Sequence, residues 1–293
     1  MGEINMVYRL LAVNIDGTLL QSNGRLNKAT KEAVEYVSQK GVRIALVTNR
    51  NYYSAKKVAK ALKINPMMVA HQGAFVGETI EKPLFVKRLT EELTLEIVRL
   101  LETTSCQIQL IHEKGSLGNR IHLPEKLVSR AKMTLNEPSM FSQQYVEVLS
   151  EELQKKPCEP IKIDIQFVKG MDQRDIKRLI GELFPEVEVI DQSDQRLILV
   201  PKGVSKWSGL LYLADYLGIK RQDIVAIGDG LDDIDMINGV GLGVAMGNAA
   251  PEVKRVAKWV TRSNDENGVA YMLKEFFRKQ PPIEFLQKMN MLK

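Results

Sequence analysis

Residues 10–20 read Leu-Leu-Ala-Val-Asn-Ile-Asp-Gly-Thr-Leu-Leu, passing in one step from an apolar run to a polar turn. Leu10 to Val13 have the unbroken apolarity of a central parallel strand covered on both faces. Asn14-Ile15-Asp16-Gly17-Thr18 follows where such strands open into a ligand crevice. Asn14 and Asp16 are two residues apart, so alternation along an extended chain turns both side chains to the same side of that crevice.

The flanking chain repeats this grammar. Asn27 is placed to cap a helix running to about Lys40, with Ala29, Ala33, Val34 and Val37 on its apolar side and Gly41 ending it. Val42 to Thr48 is a second buried strand, with Thr48-Asn49-Arg50 at its carboxyl end. A helix over Ser54 to Leu62 and a strand over Met67 to His71 follow, leading into Gln72-Gly73-Ala74. The alternation predicts an α/β fold: a doubly wound, Rossmann-like parallel sheet with right-handed crossovers.

From about residue 84 to 198 the pattern changes. Helical periodicity over 90–101, 124–135 and 172–184 alternates with strands of half-buried type, such as 107–112 and 161–168. In the latter, Ile161, Ile163, Ile165 and Phe167 share one face and Lys162, Asp164 and Gln166 the other. One covered and one open face suit an inserted α+β domain, the open face being solvated or roofing a pocket. The expected division is 1–83 with 199–293 as the core and 84–198 as the insert.

The core pattern resumes with a helix carrying Leu210, Leu211, Leu213, Ala214 and Leu217 inward, then a strand over 223–229 ending in Asp229. Shorter elements follow: an apolar strand over 240–246, a helix begun by Pro251, a strand at 259–261 and a helix over 268–278. The tail from Lys279, opening on Pro281-Pro282, reads as a flexible extension or a docking segment.

Composition narrows the class. The chain has 293 residues, 44% apolar and 26% charged, ordinary for a globular protein of one or two domains. No apolar run has membrane-spanning length and no signal peptide is read, so a cytoplasmic protein is the default expectation. Cys106 and Cys158 lack metal-type spacing and are expected to be free thiols. His71, His112 and His122 form no ligand pair and are expected to be structural. The net charge of +5 is scattered: it would draw an anionic metabolite, but without a basic arm it does not indicate nucleic acid.

Read together, Asn14-x-Asp16-Gly17-Thr18, Thr48-Asn49-Arg50, Gly203-Val204-Ser205-Lys206 and the Asp229 to Asp233 segment resemble, in order, the four motifs of the haloacid-dehalogenase (HAD) superfamily of phosphatases. Met246 to Ala249 and Ser263 to Ala270 extend the match to the Cof-type subfamily, whose large cap lies between the second and third motifs. The resemblance covers essentially the whole chain.

It implies a Mg²⁺-dependent phosphomonoester hydrolase acting on small phosphorylated metabolites such as sugar phosphates. The metal would be held by the side chain at position 14, the Asp16 carbonyl and Asp229, with Asp233 behind them. The phosphate would meet Thr48, backbone donors near Ile15 and Asn49, the Lys206 ammonium and the side chain at 232. Asp16 would be the general acid and base. Asp232 and Asp233 also read more simply as acids complementing a helix N-terminus.

The departures from the pattern concentrate at this same crevice. Asn14 stands where the family has its nucleophilic Asp; a neutral amide forms no aspartyl-phosphate and supplies one charge fewer to a metal. Asp232 stands where the family has Asn, and a carboxylate there repels a phosphate dianion. Asn49 and Gln72 replace the Gly of T-G-R and the Asn of N-G-A, and Trp207 follows Lys206 where Gly is frequent. Deamidation of Asn14 is hindered by the β-branched Ile15. Two outcomes stay open: a phosphatase of weak or lost turnover, or an inactive phosphometabolite-binding or regulatory protein whose protein partner the sequence does not name.

Overall fold

The apolar runs at Leu10–Asn14, Arg43–Val47 and Ile224–Gly228 lie side by side in a computed structural model that describes residues 7–120, 142–168 and 173–289. Leu10–Asn14 pairs in parallel with Ile224–Gly228 on one side and Arg43–Val47 on the other. These first and last strands are buried along their whole length, which is why their sequences show no polar alternation. The sheet has eight strands, in the order Trp259–Val260, Leu242–Ala245, Ile224–Gly228, Leu10–Asn14, Arg43–Val47, Met67–Ala70, Phe75–Gly77 and Phe85–Val86. Its pairs are parallel from Trp259–Val260 to Met67–Ala70 and antiparallel between Met67–Ala70 and Phe75–Gly77. The α/β core with a parallel-rich sheet is therefore as the sequence predicts.

Helix boundaries follow side-chain chemistry. Asn27 Oδ1 accepts the Ala29 N–H at 2.8 Å and opens the helix Lys28–Gln39, whose Ala33, Val34 and Val37 are buried while Ala29 is half-buried. The next helix spans Tyr52–Leu62, two residues longer than expected, because the Asn51 side chain caps it, accepting the Ser54 N–H. In the helix Lys206–Tyr216, Leu210, Leu213 and Ala214 are buried, whereas Leu211 and Leu217 are only half-buried.

The tail docks on its own core. Gln280 donates to the Tyr8 carbonyl and accepts from the Tyr8 N–H, at 2.8 and 2.9 Å, and the Ile283 N–H reaches the Lys40 carbonyl. The helix Ile283–Lys288 then buries Leu286. Of the two readings open for this segment, the described residues agree with docking, since Gln280 and Ile283 bond to the core and Leu286 is buried.

The chain divides into two compact units, Met1–Phe85 with Ser205–Lys293, and Val86–Val204. The second boundary falls later than 198 because Arg196–Pro201 is still a strand of the second sheet. That sheet orders Val187–Ser193, Arg196–Pro201, Lys162–Phe167, Cys106–Ile111, Gly115–Asn119 and Ser142–Val146. Its pairs are antiparallel except the last, which is parallel. Ile97, Leu101, Ile108, Leu110, Ile163, Ile165 and Phe167 form its core.

The face expected to be open is so only at Gln166, which is exposed. Lys162 and Asp164 are each 9% exposed, and Asp164 accepts from Arg196 on the adjacent strand; charge pairing covers a polar strand face as packing covers an apolar one. The helix expected over 124–135 lies outside the described residues. Among the described residues no helix is long and apolar enough to cross a membrane. Cys106 and Cys158 are free thiols.

Candidate active site

The central strand ends at Asn14, and the chain turns sharply through Ile15–Leu19. The turn needs Gly17: its φ is +69°, and a Cβ there would stand 2.0 Å from Asp229 Oδ2. Thr18 Oγ1 donates to Asp229 Oδ1 at 2.6 Å, and Asn248 Nδ2 donates to the Gly17 carbonyl at 2.9 Å. The ends of two neighbouring parallel strands are thus fastened together, and Asn14 is carried between them.

Asn14 is buried and its amide is fully committed. Oδ1 accepts the Ile15 N–H at 2.8 Å. Nδ2 faces three oxygens, the Asp16 carbonyl at 3.0 Å, Asp229 Oδ1 at 3.2 Å and Asp233 Oδ2 at 3.3 Å. Exchanging the amide O and N would set N–H against N–H at Ile15 and oxygen against three oxygens, so the surroundings dictate the orientation.

Asp233, fully buried, is the hub of the following loop. Its Oδ2 accepts the N–H groups of Asp229 and Gly230 at 2.9 and 3.0 Å, and its Oδ1 accepts from Lys206 Nζ at 2.8 Å. Lys206 reaches it because Ser205 caps the helix Lys206–Tyr216: Ser205 Oγ accepts the Ser208 N–H while Ser208 Oγ accepts the Ser205 N–H. Lys206 Nζ also lies 3.0 Å from Asp232 Oδ2, which accepts from Asn49 Nδ2 at 2.7 Å.

Burial dominates the electrostatics. It pushes the Asp229 carboxyl up, the Asp233 charge adding to it and the donors Thr18 and Asn14 opposing it. Asp233 is also raised by burial, against the pull of Lys206. For Lys206, burial pushes downward but the charges of Asp233 and Asp232 outweigh it, and the ammonium is held above its usual range.

Asp16 points elsewhere. Its two oxygens accept from Arg50, Nε to Oδ2 at 2.7 Å and Nη2 to Oδ1 at 2.5 Å, a bidentate pair. Thr48 is buried, and its Oγ1 accepts the Arg50 N–H at 3.1 Å. His71, Gln72 and Gly73 all have left-handed backbones, with φ of 50°, 62° and 100°. Gln72 is buried, and among the described residues its Oε1 has no hydrogen-bond partner.

The side chains predicted as one site divide into three groups. Asn14, Asp229, Asp233 and Lys206 meet directly, Asp232 and Asn49 join them through Lys206, and Asp16 is held apart by Arg50. The Ile15 N–H expected to meet phosphate is occupied by Asn14 Oδ1. Thr18 and Arg50 are contacts the sequence reading missed; their signal was present, one in the D-G-T turn and the other at the end of the second strand.

The donor set does not fit Mg²⁺. A hard cation needs oxygen lone pairs converging on it, whereas here the amide hydrogens of Asn14 point at the Asp16 carbonyl and Asp229. Among the described residues no three His, Cys, Asp or Glu side chains converge as metal ligands.

Comparison with known proteins places these features. The profile of the haloacid dehalogenase-like hydrolases matches residues 11–273. The chain is 48% identical over 286 residues to the stress response protein YhaX of Bacillus subtilis (strain 168), covering 98% of this chain and 99% of that one. It is 26% identical to the 5-amino-6-(5-phospho-D-ribitylamino)uracil phosphatase YitU of the same organism, over 92% of this chain and 97% of that one. Among solved structures, it is 25% identical to a haloacid dehalogenase-like hydrolase from Bacteroides thetaiotaomicron, with a TM-score of 0.78 over 92% of this chain and 100% of that one.

Proposed function

The chain belongs to the haloacid dehalogenase-like hydrolase family, and from that premise we propose that it binds small phosphorylated metabolites, such as sugar phosphates, with turnover weak or lost. The observation that carries this reading is Asn14. In this reading residue 14 is the family's nucleophile position, and the amide there, whose oxygen accepts the Ile15 N–H and whose nitrogen donates to carboxylates, offers no nucleophilic oxygen of its own.

Phosphate binding in this reading falls to the donors around that crevice. Lys206 supplies the cation, Thr48 a hydroxyl and Asn49 a backbone donor, while the Ile15 N–H is already taken by Asn14 Oδ1 and Asp232 opposes an anion. Asp16 is the remaining acid or base, and a turnover routed through it or through a directly activated water is slow, because Arg50 holds both its oxygens. The phosphatase named among the relatives acts on a phosphorylated small molecule, which supports the ligand class.

A second reading is a binding or regulatory protein without turnover. Asn14 supports it, as does the relative at 48% identity, which carries the name of a stress response protein.

The test compares this chain with Asn14→Asp on p-nitrophenyl phosphate and a panel of sugar phosphates, measuring hydrolysis and binding separately. The parent chain is expected to bind a phosphomonoester with near-background hydrolysis, and the variant to hydrolyse it faster by roughly a thousandfold. Hydrolysis by the parent at the variant's rate, or no binding by either, would overturn the proposal. Binding by both with hydrolysis by neither would select the regulatory reading.

A further inference from the structure

The oxygens facing Asn14 Nδ2 come from separate pieces of chain: the turn after the first strand, the end of the strand Ile224–Gly228, and the loop beyond it. Oxygens converging from different segments repel one another unless something positive lies between them. We infer that the Asn14 amide takes the place of the divalent cation in this chain, so that the cluster is held together by N–H donors and assembles without metal. The inference rests on the proposed reading only in equating residue 14 with the nucleophile position.

The charges around the cluster support this division of labour. Asp16 is paired with Arg50, and Asp232 and Asp233 share Lys206. Among the described residues Asp229 makes no direct ion pair, although the Lys206 charge reaches it; its Oδ1 is held by the Thr18 hydroxyl and the Asn14 amide. Two neutral donors thus converge on one oxygen of a half-buried carboxylate.

For residue 14 to serve as a ligand, Asn14 would have to turn its oxygen toward the set. That would strip the buried Ile15 N–H of its acceptor and put the amide nitrogen in its place. Even when turned, the amide brings no negative charge.

The experiment uses Mg²⁺ alone, without phosphoester, followed by calorimetric titration and by thermal melting of this chain and of Asn14→Asp. This chain is expected to show no saturable site at millimolar Mg²⁺, and the variant to bind at least about tenfold more tightly and to melt higher as Mg²⁺ is added. Equal affinity in the two, or no binding by either, would overturn the inference. A measurement on the unaltered chain guards against misfolding of the variant: with asparagine ¹⁵N-labelled, added Mn²⁺ is expected to leave the Asn14 side-chain resonances sharp. Selective broadening there would overturn it as well. Because no phosphoester is present, failure to bind one bears on the proposed function alone.

Discussion

Lys206 Nζ stands 2.8 Å from Asp233 Oδ1, and the two side chains are 2% and 0% exposed. The pair joins the first turn of the helix Lys206–Tyr216 to the loop after the strand Ile224–Gly228. It is thus a structural bond as well as a feature of the crevice. Substituting Lys206→Met leaves Asp233 buried without its cation, for which a loss of about 3–5 kcal/mol is expected. Urea unfolding measures it; a loss below about 1 kcal/mol would show that the pair behaves as a surface ion pair.

Asp232 is the carboxylate that works against an anionic ligand. Its Oδ2 engages the Lys206 ammonium, the cation of the proposed phosphate site, and the Asn49 side chain. Asp232→Asn removes the like charge and releases Lys206 from one partner, and is expected to tighten sugar-phosphate binding by about 1 kcal/mol, roughly fivefold. Calorimetric titration at low salt reads this directly. Unchanged affinity would mean that the ligand does not approach residue 232.

Gly73 has a φ of +100°, and a Cβ built on it would lie 1.9 Å from the Ser205 carbonyl oxygen. Backbone cannot swing aside as a side-chain tip can, and Ser205 is the cap that positions Lys206. Gly73→Ala is therefore expected to cost at least about 2 kcal/mol, with a lowered melting temperature and weakened ligand binding together. Gly24→Ala is the contrasting variant: its φ is +76° but nothing lies within 4 Å of the added Cβ. It is expected to cost about 1 kcal/mol and to leave binding unchanged.

In the second unit, burial holds His112 below its ordinary value of 6.5, with Glu113 opposing and Arg88 reinforcing the shift. Above 6.5 the ring is neutral in both folded and unfolded chains and costs nothing. As the pH falls below 6.5 the unfolded chain takes up the proton first, so stability is lost until the folded pKa is passed. The melting temperature is expected to fall as the pH drops through and below 6.5, and His112→Gln to flatten part of that slope. An identical slope in the variant would show that other groups carry the dependence.

Much of this was legible along the chain because its signals are local. Leu10 to Val13 and the strand ending at Asp229 announce buried parallel strands by unbroken apolarity, and Asn27 announces a cap by its place before an amphipathic run. The start of the helix Tyr52–Leu62 was placed two residues late, since two tyrosines obscure where the helical period begins. Lys162 and Asp164 misled for a different reason: alternation reports which residues share a face, not what covers it, and Arg196 is more than thirty residues away in sequence.

The sequence by itself determined the family, the order of the motifs and the chemical oddity of an amide at residue 14, for these depend on residue identity and short-range periodicity. Only the tertiary structure decided what that amide does. Its partners Asp229 and Asp233 are 215 and 219 residues away, and Ile15 N–H, the adjacent group that orients it, matters only because the site is buried. Likewise the pairing of Asp16 with Arg50 follows from where two neighbouring strands end. Hydrogen-bond direction and charge pairing are set by distance in space, and the parallel crossovers bring together residues that the sequence keeps far apart.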